Sequence, residues 1–503
     1  MADPRKNKIK KTLVRKTAFI TTRFSKAQLI IFALIFAAIG GYLIYMSFAA
    51  GWSTPARLTN DNAGQSYSLA SSGDTLHMAR GSGTITYRKS TNEGSTWTSD
   101  ITLGSGNLYL DRPIAAEGNT VAVAYFKDIR RFTDWCCARD AGNIYMRISA
   151  DGGTTWGPEQ QISTAQSGYR IAIDIEGTNV YVTWMDYRSG VWDLYYRRST
   201  NLGASWGTEI KLVAGTAVVG AERPDRVARG NSVHLFWMDG RDNQPQCYTT
   251  PQCPEIYYKR SADGGATWGA DVRLTNDAPY SARPMASTVG ANGLVVSYEQ
   301  QIANDPSVSN EVYAMRSTDN GSTWGSPQRL TTATGDSGHN FTAGDSTNAY
   351  VAYHDNRTGS NEIYFRQSND GGATWQPEER ITNLSGDSIV PVLVTTPNFV
   401  HAIWGDNNSG SYQTWYSRMA LSTPEPPSPP PSGSANFFIS PSGSDSNPCT
   451  STAPCKTFNR AYQVASPGSI VQVAGGNYGS QTINWRADMA NKSPGCDPNG
   501  EWG

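Results

Sequence analysis

Four arginines in the middle of the chain stand at related positions ahead of a glycine. Three of them, Arg170, Arg223 and Arg283, precede it by seven residues, and Arg112 precedes it by six. A guanidinium presents paired, planar N–H donors that match a carboxylate, so arginines that converge would bind an anionic ligand. The alternative is that they form ion pairs with neighbouring acids, such as Asp111, Glu222 or Asp225.

Two long polar segments, 127–143 and 239–255, carry aromatic side chains that could stack on a sugar ring. Trp135 lies in the first and Tyr248 in the second. Long insertions on one face of a fold often build a binding site, and an aromatic ring offers a sugar both apolar area and a polar edge. Both residues are therefore candidate ligand contacts.

A pattern of Trp or Tyr, then Asp, then Arg at alternate positions also recurs. It is found at Trp184/Asp186/Arg188, Trp237/Asp239/Arg241 and Tyr353/Asp355/Arg357. Recurrence along the chain favours a structural turn over catalysis, because a catalytic group is needed only once.

These residues must be positioned by a repeat. An octapeptide occurs six times between residues 90 and 375, as STNEGSTW, SADGGTTW, STNLGASW, SADGGATW, STDNGSTW and SNDGGATW. An Asx side chain can accept hydrogen bonds from nearby backbone N–H groups, and Gly adopts positive φ without steric cost, so the motif predicts a tight turn. The residues assigned a structural role are Asp151, Asp263, Asp319 and Asp370, with Trp97, Trp156, Trp206, Trp268, Trp324 and Trp375 anchoring the turns. Calcium loops are the alternative for the Asp-Gly-Gly copies, and we predict no metal site or cofactor.

Strand patterns flank every octapeptide, with aromatic segments such as LYYRRS before it and an aliphatic residue six positions after its Trp. The segment starting at Trp52 has the strand pattern that elsewhere follows an octapeptide, but no octapeptide precedes it. Residues 389–421 have three strand patterns, and no octapeptide follows them. The two ends complement one another. We therefore expect seven four-stranded sheets over residues 52–421, closed into a ring by the N-terminal strand.

The octapeptide resembles the Asp-box, or BNR repeat, of the sialidase superfamily of β-propellers. The resemblance implies an all-β propeller in which the boxes join strands three and four and the opposite face carries the ligand site. Sialidases are typically six-bladed, whereas the ring closure counted above predicts a seven-bladed β-propeller here. Members of the superfamily include sialidases, other glycoside hydrolases, lectins and non-catalytic receptors, so the fold leaves the activity open.

Sialidase chemistry would need three arginines, a Tyr nucleophile activated by a Glu, and an Asp acid/base. Tyr280 and Glu299 are the weak candidates for the Tyr–Glu pair. The family's Phe/Tyr-Arg-Ile-Pro element is absent from the first repeat, and the nearest match, residues 169–172, lacks the Pro. Binding of a glycan or another anionic surface ligand is therefore the leading hypothesis. An exo-sialidase or related glycoside hydrolase, and a non-catalytic protein-interaction scaffold, are the alternatives.

The N-terminus predicts membrane targeting. Residues 1–28 contain nine Lys and Arg against one acid, and residues 29–48 are uncharged and long enough for a helix to cross a bilayer. The positive-inside rule then places the N-terminus in the cytoplasm and the remainder outside the cell. A cleaved signal peptide is the alternative. Since the rest of the chain has a net charge of −9, nucleic acid is not an expected partner.

Seven cysteines fit an oxidising compartment. Cys247 and Cys253, and Cys449 and Cys455, are spaced for two local disulfides, although free thiols remain the alternative. A Pro-rich linker is predicted over 422–435. Residues 436–503 resemble the beginning of a pectate-lyase-like right-handed β-helix, with a short helix near 457–465 and a strand at 469–473.

Overall fold

A computed structural model describes most of the chain beyond residue 50. The described residues are 51–60, 66–109, 111–133, 138–215, 220–242, 253–276, 280–302, 310–332, 334–421, 435–466, 469, 471–474, 478 and 482. The predicted basic segment 1–28, the predicted membrane helix 29–48 and nearly all of the predicted linker lie outside them. No helix within the described ranges has the length and apolar character to span a bilayer.

The described chain is almost entirely antiparallel sheet. After β1 (Ala56–Arg57), the strands follow one another in sets of four. Set 1 is β2 (Tyr67–Ser72), β3 (Thr75–Arg80), β4 (Ser82–Ser90) and β5 (Ile101–Asn107). Set 2 is β6 (Ile114–Glu117), β7 (Thr120–Thr133), β8 (Ala138–Ser149) and β9 (Gln160–Gln161). Set 3 is β10 (Gly168–Glu176), β11 (Asn179–Asp186), β12 (Asp193–Ser199) and β13 (Ile210–Val213).

The second half of this region continues the pattern. Set 4 is β14 (Glu222–Arg229), β15 (Ser232–Asp239), β16 (Glu255–Ser261) and β17 (Val272–Arg273). Set 5 is β18 (Tyr280–Val289), β19 (Gly293–Gln301), β20 (Asn310–Ser317) and β21 (Gln328–Arg329). Set 6 is β22 (Ser337–Gly344), β23 (Ala349–Asp355), β24 (Glu362–Ser368) and β25 (Glu379–Arg380). Set 7 is β26 (Ser388–Thr395), β27 (Phe399–Asp406) and β28 (Gln413–Ala420), completed by β1.

The sets are arranged in a closed cycle. Their first strands contact one another in the order β2, β6, β10, β14, β18, β22, β26 and back to β2. Sets 4 to 7 are separate four-stranded sheets, whereas sets 1 to 3 are joined into one twelve-stranded sheet by the bridging pairs Asn107–Phe126 and Gly142–Gly168. The cycle places the starts of seven strands around one central axis.

The first and last described strands of this unit meet. Ala56 and Arg57 of β1 pair with Tyr416 and Trp415 of β28, and Trp52 bridges to Met419. The hydroxyl of Thr59 also donates to the Gln413 side chain. This is the pairing predicted between the N-terminal strand and the last strand, and it makes β1 the outer strand of set 7.

The octapeptides form the turns between the third and fourth strands of sets 1 to 6. In the copy at 261–268, the hydroxyl of Ser261 bonds the Asp263 carboxylate and accepts from the N–H of Gly265, while Asp263 accepts from Thr267. The Gly has φ +77°, and a Cβ built there would lie 2.1 Å from Oη of Tyr196 in the preceding set. Gly is therefore required for its backbone conformation and for the close approach of the neighbouring set.

The six motif tryptophans are half-buried rather than fully buried. Trp156, for example, packs edge-on against Tyr87 of the preceding set, with ring centroids 4.8 Å apart, and Trp268 packs in the same way against Tyr196 at 5.3 Å. These residues therefore stabilise the junction between adjacent sets as well as the turns that they were predicted to anchor.

Residues 422–503 form a second unit. Its described part has β29 (Phe437–Ile439) paired in parallel with β30 (Val471–Val473), and helix α1 (Phe458–Val464), whose N-cap is Thr457. Cys449 and Cys455 form the predicted disulfide and pack with Ile439 and Ala461 in a small apolar core. Parallel pairing across a connecting helix is compatible with the beginning of a β-helix.

Candidate functional site

One pocket lies where the first strands of sets 3 to 7 begin. It is lined by Tyr109, Asp111, Arg170, Arg223, Arg283, Pro284, Met285, His339, Asn340, Phe341, Val390 and Pro391, and encloses about 110 Å³. Its position relative to the octapeptide turns follows from set 3. There the N–H of Leu202, in a turn, bonds the carbonyl of Thr178, just past the end of β10, whereas Arg170 lies at the start of β10. The pocket therefore opens on the face away from the turns, as predicted.

Five lining residues share one unusual backbone position. Arg170, Arg223, Arg283, His339 and Val390 have φ between +42° and +54°, and the pairing register of each strand breaks at that point. A bulge of this kind re-aims a side chain out of the regular alternation of the strand. The repeated bulge directs one side chain from each of five consecutive sets toward the same space.

Sequence reasoning found the three arginines of this group but missed His339 and Val390, because they differ in residue type. A small residue, Gly168, Ala221, Ser281, Ser337 or Ser388, stands two positions before each of the five bulged residues. This shared spacing is the signal that could have identified the whole group.

Two of the three pocket arginines have a carboxylate partner. Nη1 of Arg170 lies 2.9 Å from Oδ1 of Asp111, and Nη1 of Arg283 lies 3.3 Å from Oε1 of Glu299. Arg170 also lies over the ring of Tyr109, 5.6 Å from its centroid. Arg170 therefore both lines the pocket and forms the ion pair with Asp111 that was the alternative.

Arg223 differs from its two neighbours. Its side chain lines the pocket, and no described residue forms an ion pair with it or accepts a hydrogen bond from its guanidinium. Burial, followed by the like charges of Arg170 and Arg283, holds the pKa of Arg223 well below its usual value. A guanidinium nevertheless stays protonated in proteins, so the pocket contains a cation that forms no direct ion pair with a described residue, although the carboxylates of Asp111 and Glu222 act on it from a greater distance. Such a charge is costly until an anion enters.

Arg112 does not line this pocket, contrary to its predicted role as a ligand contact. Its Nε lies 2.7 Å from Oδ1 of Asp225, and its Nη2 donates to the carbonyls of Ala286 and Thr342. The side chain thus links set 2 to sets 4, 5 and 6 across the cycle. All of these partners lie in first strands, so Arg112 is a structural crosslink near the axis.

The pocket lining also includes apolar side chains and one histidine. Met285, Phe341, Val390 and Pro391 belong to it with His339, whose ring centroid lies 4.7 Å from that of His354, a residue outside the lining. Burial, and then the charge of Arg283, lower the pKa of His354 to about 4, and the same two causes lower the pKa of His339. Both rings are therefore neutral at pH 7, and the arginines supply the positive charge of the pocket.

The candidate catalytic pair is not joined. The hydroxyl of Tyr280 donates to Oδ1 of Asn310 at 2.8 Å, while the Glu299 carboxylate faces Arg283 and accepts from the backbone N–H of His339. Burial, and then the negative charge of Glu299, raise the pKa of Tyr280. A nucleophilic phenol needs the opposite shift or a directly bonded base, and Tyr280 has neither among the described residues.

Other sequence candidates resolve as follows. Trp135, Tyr248 and Cys247 lie outside the described residues, and Cys253 is disulfide-bonded. In the recurring Trp/Tyr-Asp-Arg turn, Asp186 accepts from Nε1 of Trp184 and from the side chain of Arg188, which supports the predicted structural role. Across the described ranges, no three His, Cys, Asp or Glu side chains are grouped so as to hold a metal ion.

Comparison with known proteins gives one family match and distant structural neighbours. Residues 441–484 match the family described as protein of unknown function (DUF1565). No curated protein matches the chain by sequence.

Three of the solved structures that resemble the chain are carbohydrate-active enzymes. The α-L-arabinofuranosidase Arb93A from Fusarium graminearum, in complex with an iminosugar inhibitor, is 14% identical, with 74% of this chain and 97% of that chain covered and a TM-score of 0.42. The NanB sialidase from Streptococcus pneumoniae is 12% identical, with 74% and 70% covered and a TM-score of 0.39. A mutant of Trypanosoma rangeli sialidase displaying trans-sialidase activity is 11% identical, with 74% and 60% covered and a TM-score of 0.40. At such low similarity, the function must be inferred from the pocket itself.

Proposed function

We propose that the protein binds a carboxylate-bearing ligand, in particular an acidic glycan, in the pocket around Arg223. The observation that carries the proposal is the guanidinium of Arg223, which has no partner among the described residues and stands between two arginines that already have carboxylate partners. A ligand carboxylate would supply the missing charge and accept paired N–H donors. The apolar lining residues, which include Met285 and Phe341, would receive the ring face or an apolar substituent of the ligand.

The proposal also covers the fold of the protein and its location in the cell. We infer that the closed cycle of seven sets is a seven-bladed propeller with Asp-box turns, and that the 436–503 segment begins a right-handed β-helix. The charge block at 1–28 and the apolar run at 29–48 support an N-terminal membrane anchor with the propeller outside the cell. The pocket would then meet its ligand outside the cell.

Binding of two acidic sugars tests the proposal. The full-length protein, purified in detergent, is titrated by calorimetry with N-acetylneuraminic acid and with glucuronic acid, and glucose serves as the neutral control. We expect at least one acid to bind and glucose not to bind. Arg223→Ala should weaken binding at least tenfold, since one charge-assisted contact contributes about 1.5–3 kcal/mol.

The matched control is Arg57→Ala, which removes the same charge from an exposed position on β1. It should bind as the unmodified protein does. If neither acid binds, or if the Arg223 and Arg57 variants behave alike, the pocket is not a carboxylate site.

A further inference from the structure

A further arginine reaches the pocket region from a long hairpin. β7 and β8 form the longest hairpin of the described unit, and Arg139 pairs with Phe132 near its described end. Phe132 packs against Tyr187 of set 3, with ring centroids 5.5 Å apart, and the Arg139 guanidinium lies over Trp192 of the same set at 5.5 Å. The hairpin of set 2 therefore extends across set 3.

Arg139 contacts the residue that precedes the free arginine. Its Nη1 and Nη2 donate to the two carboxylate oxygens of Glu222 at 3.0 and 3.2 Å. Glu222 is 3% exposed and begins β14, directly before Arg223. The Glu222 carboxylate is close enough to Arg223 to act on it electrostatically, yet the two form no ion pair. A two-pronged contact of this kind occupies both oxygens of the carboxylate.

We propose that Arg139 is a positioning residue that keeps the pocket able to bind anions. By holding both oxygens of Glu222, it prevents this carboxylate from turning to the adjacent Arg223 and neutralising it. This inference rests on the proposed function of the Arg223 pocket. A buried carboxylate that loses its partner is strongly unfavourable. Without Arg139, the adjacent Arg223, which forms no ion pair with a described residue, would offer Glu222 a counter-ion.

The charge arrangement around the pocket supports this role. Arg170 pairs with Asp111, Arg283 with Glu299 and Arg139 with Glu222, so three carboxylates are matched by three arginines and Arg223 is left over. Removing Arg139 leaves three arginines for three carboxylates. The pocket then has no cation for a ligand, although every residue that lines it is unchanged.

A double-mutant comparison tests the proposal with the same two acidic sugars. Arg139→Ala should weaken binding at least tenfold. Arg139→Ala combined with Glu222→Gln should bind within about threefold of the unmodified protein, because the competing carboxylate is gone. Glu222→Gln alone should bind at least as well as the unmodified protein. Arg139→Lys, which offers a single ammonium instead of a fork, should fall between the unmodified protein and Arg139→Ala.

Rescue by Glu222→Gln separates the proposal from a direct contact between Arg139 and the ligand, because removing the carboxylate would not restore such a contact. Since Glu222→Gln would also relieve a merely structural loss caused by the buried carboxylate, binding is compared at a temperature where melting curves show every variant to be fully folded. If the double variant is as weak as Arg139→Ala, the proposal is wrong. If Arg139→Ala binds as the unmodified protein does, the proposal is also wrong, while the carboxylate pocket stands.

A crystal structure of Arg139→Ala provides a readout that needs no ligand. We expect the Glu222 carboxylate within 4 Å of the Arg223 guanidinium in this variant. An unmoved Glu222 would overturn the proposal even if the pocket proves to bind no sugar. Thermal melting of each variant confirms that it is folded.

Discussion

Tyr416 of the last set places its hydroxyl against the backbone of Gly94 in the first octapeptide turn. The hydroxyl donates to the carbonyl of Glu93 at 3.1 Å, and a Cβ built on Gly94 would lie 1.8 Å from Oη of Tyr416. The same Tyr–Gly approach occurs between neighbouring sets elsewhere, for example between Tyr87 and Gly153. At Gly94 it joins the first and last sets of the cycle, and it locks the cycle beside the β1–β28 pairing.

Gly94→Ala should therefore destabilise the closed cycle. Gly94 has φ +81° and no space for a methyl group, so backbone strain and steric overlap together should cost about 2–5 kcal/mol. Urea unfolding followed by tryptophan fluorescence measures the loss. The matched control is Gly73→Ala, at φ +55° with nothing within 4 Å of the added carbon, which should cost only about 1–2 kcal/mol. Equal losses in the two variants would contradict the locking role of the Tyr416 contact.

Arg112→Met should destabilise the protein, because it leaves the buried carboxylate of Asp225 without its ion-pair partner. Asp225 is 1% exposed, and among the described residues its carboxylate would keep only backbone N–H donors, those of Ala286 and Arg226. Breaking a buried ion pair on one side typically costs about 3–5 kcal/mol. Urea unfolding checks this value, and the double variant Arg112→Met with Asp225→Asn should recover part of it. A loss below about 1 kcal/mol would show that the crosslink is not structural.

The free energy of unfolding should fall as the pH is lowered below about 6.5. Three buried histidines are neutral in the folded protein, and each forms a hydrogen bond with a different tyrosine hydroxyl. Burial is the main cause that lowers the pKa of His77 and His234 to about 4 and that of His401 to about 3. The unfolded chain takes up these protons near pH 6.5 while the folded chain does not, so acid favours unfolding.

His401→Gln isolates one of these groups. It should reduce the pH dependence of the free energy of unfolding between pH 6 and pH 4 by up to about 1.4 kcal/mol per pH unit, the value for one proton. Urea titrations at several pH values give this slope. An unchanged slope would mean that His401 already carries its proton in the folded state, despite its burial.

Asp263→Asn should be tolerated, whereas Asp263→Ala should lower the melting temperature. Asp263 accepts from the N–H of Thr267 at 2.8 Å, and Asn201 makes the equivalent contact to the N–H of Ser205 at 2.8 Å. An amide oxygen therefore already accepts the same hydrogen bond in another copy of the turn. Differential scanning calorimetry of the two variants measures the difference. A large loss in Asp263→Asn would show that the negative charge itself is needed.

Much of the architecture could be predicted from local pattern. The octapeptides lie between third and fourth strands, and the segment beginning at Trp52 pairs with the last strand, as the sequence pattern predicts. These features depend on turn chemistry and alternation, which are local properties of the chain. The face that carries the pocket followed from the position of the turns.

The site was predicted only in part. Arg170, Arg223 and Arg283 converge, but Arg112, which has the same residue type and nearly the same spacing, is a crosslink beside the axis. His339 and Val390 take the same bulged position as the arginines, but residue type does not identify them because their side chains share no chemistry with a guanidinium. Arg139 lies in a hairpin whose reach across set 3 no local pattern indicates.

The sequence by itself determined the repeat, the turns, the closure of the ring and the candidate arginines, since each depends on residues that are close in the chain or on a period that can be counted. Only the tertiary structure decided which arginine is free. Ion pairing depends on distances between side chains on different strands and loops, so Asp111 is matched to Arg170, Glu222 to Arg139 and Glu299 to Arg283. Arg223 remains without a described partner because each of these three carboxylates is already held by another arginine.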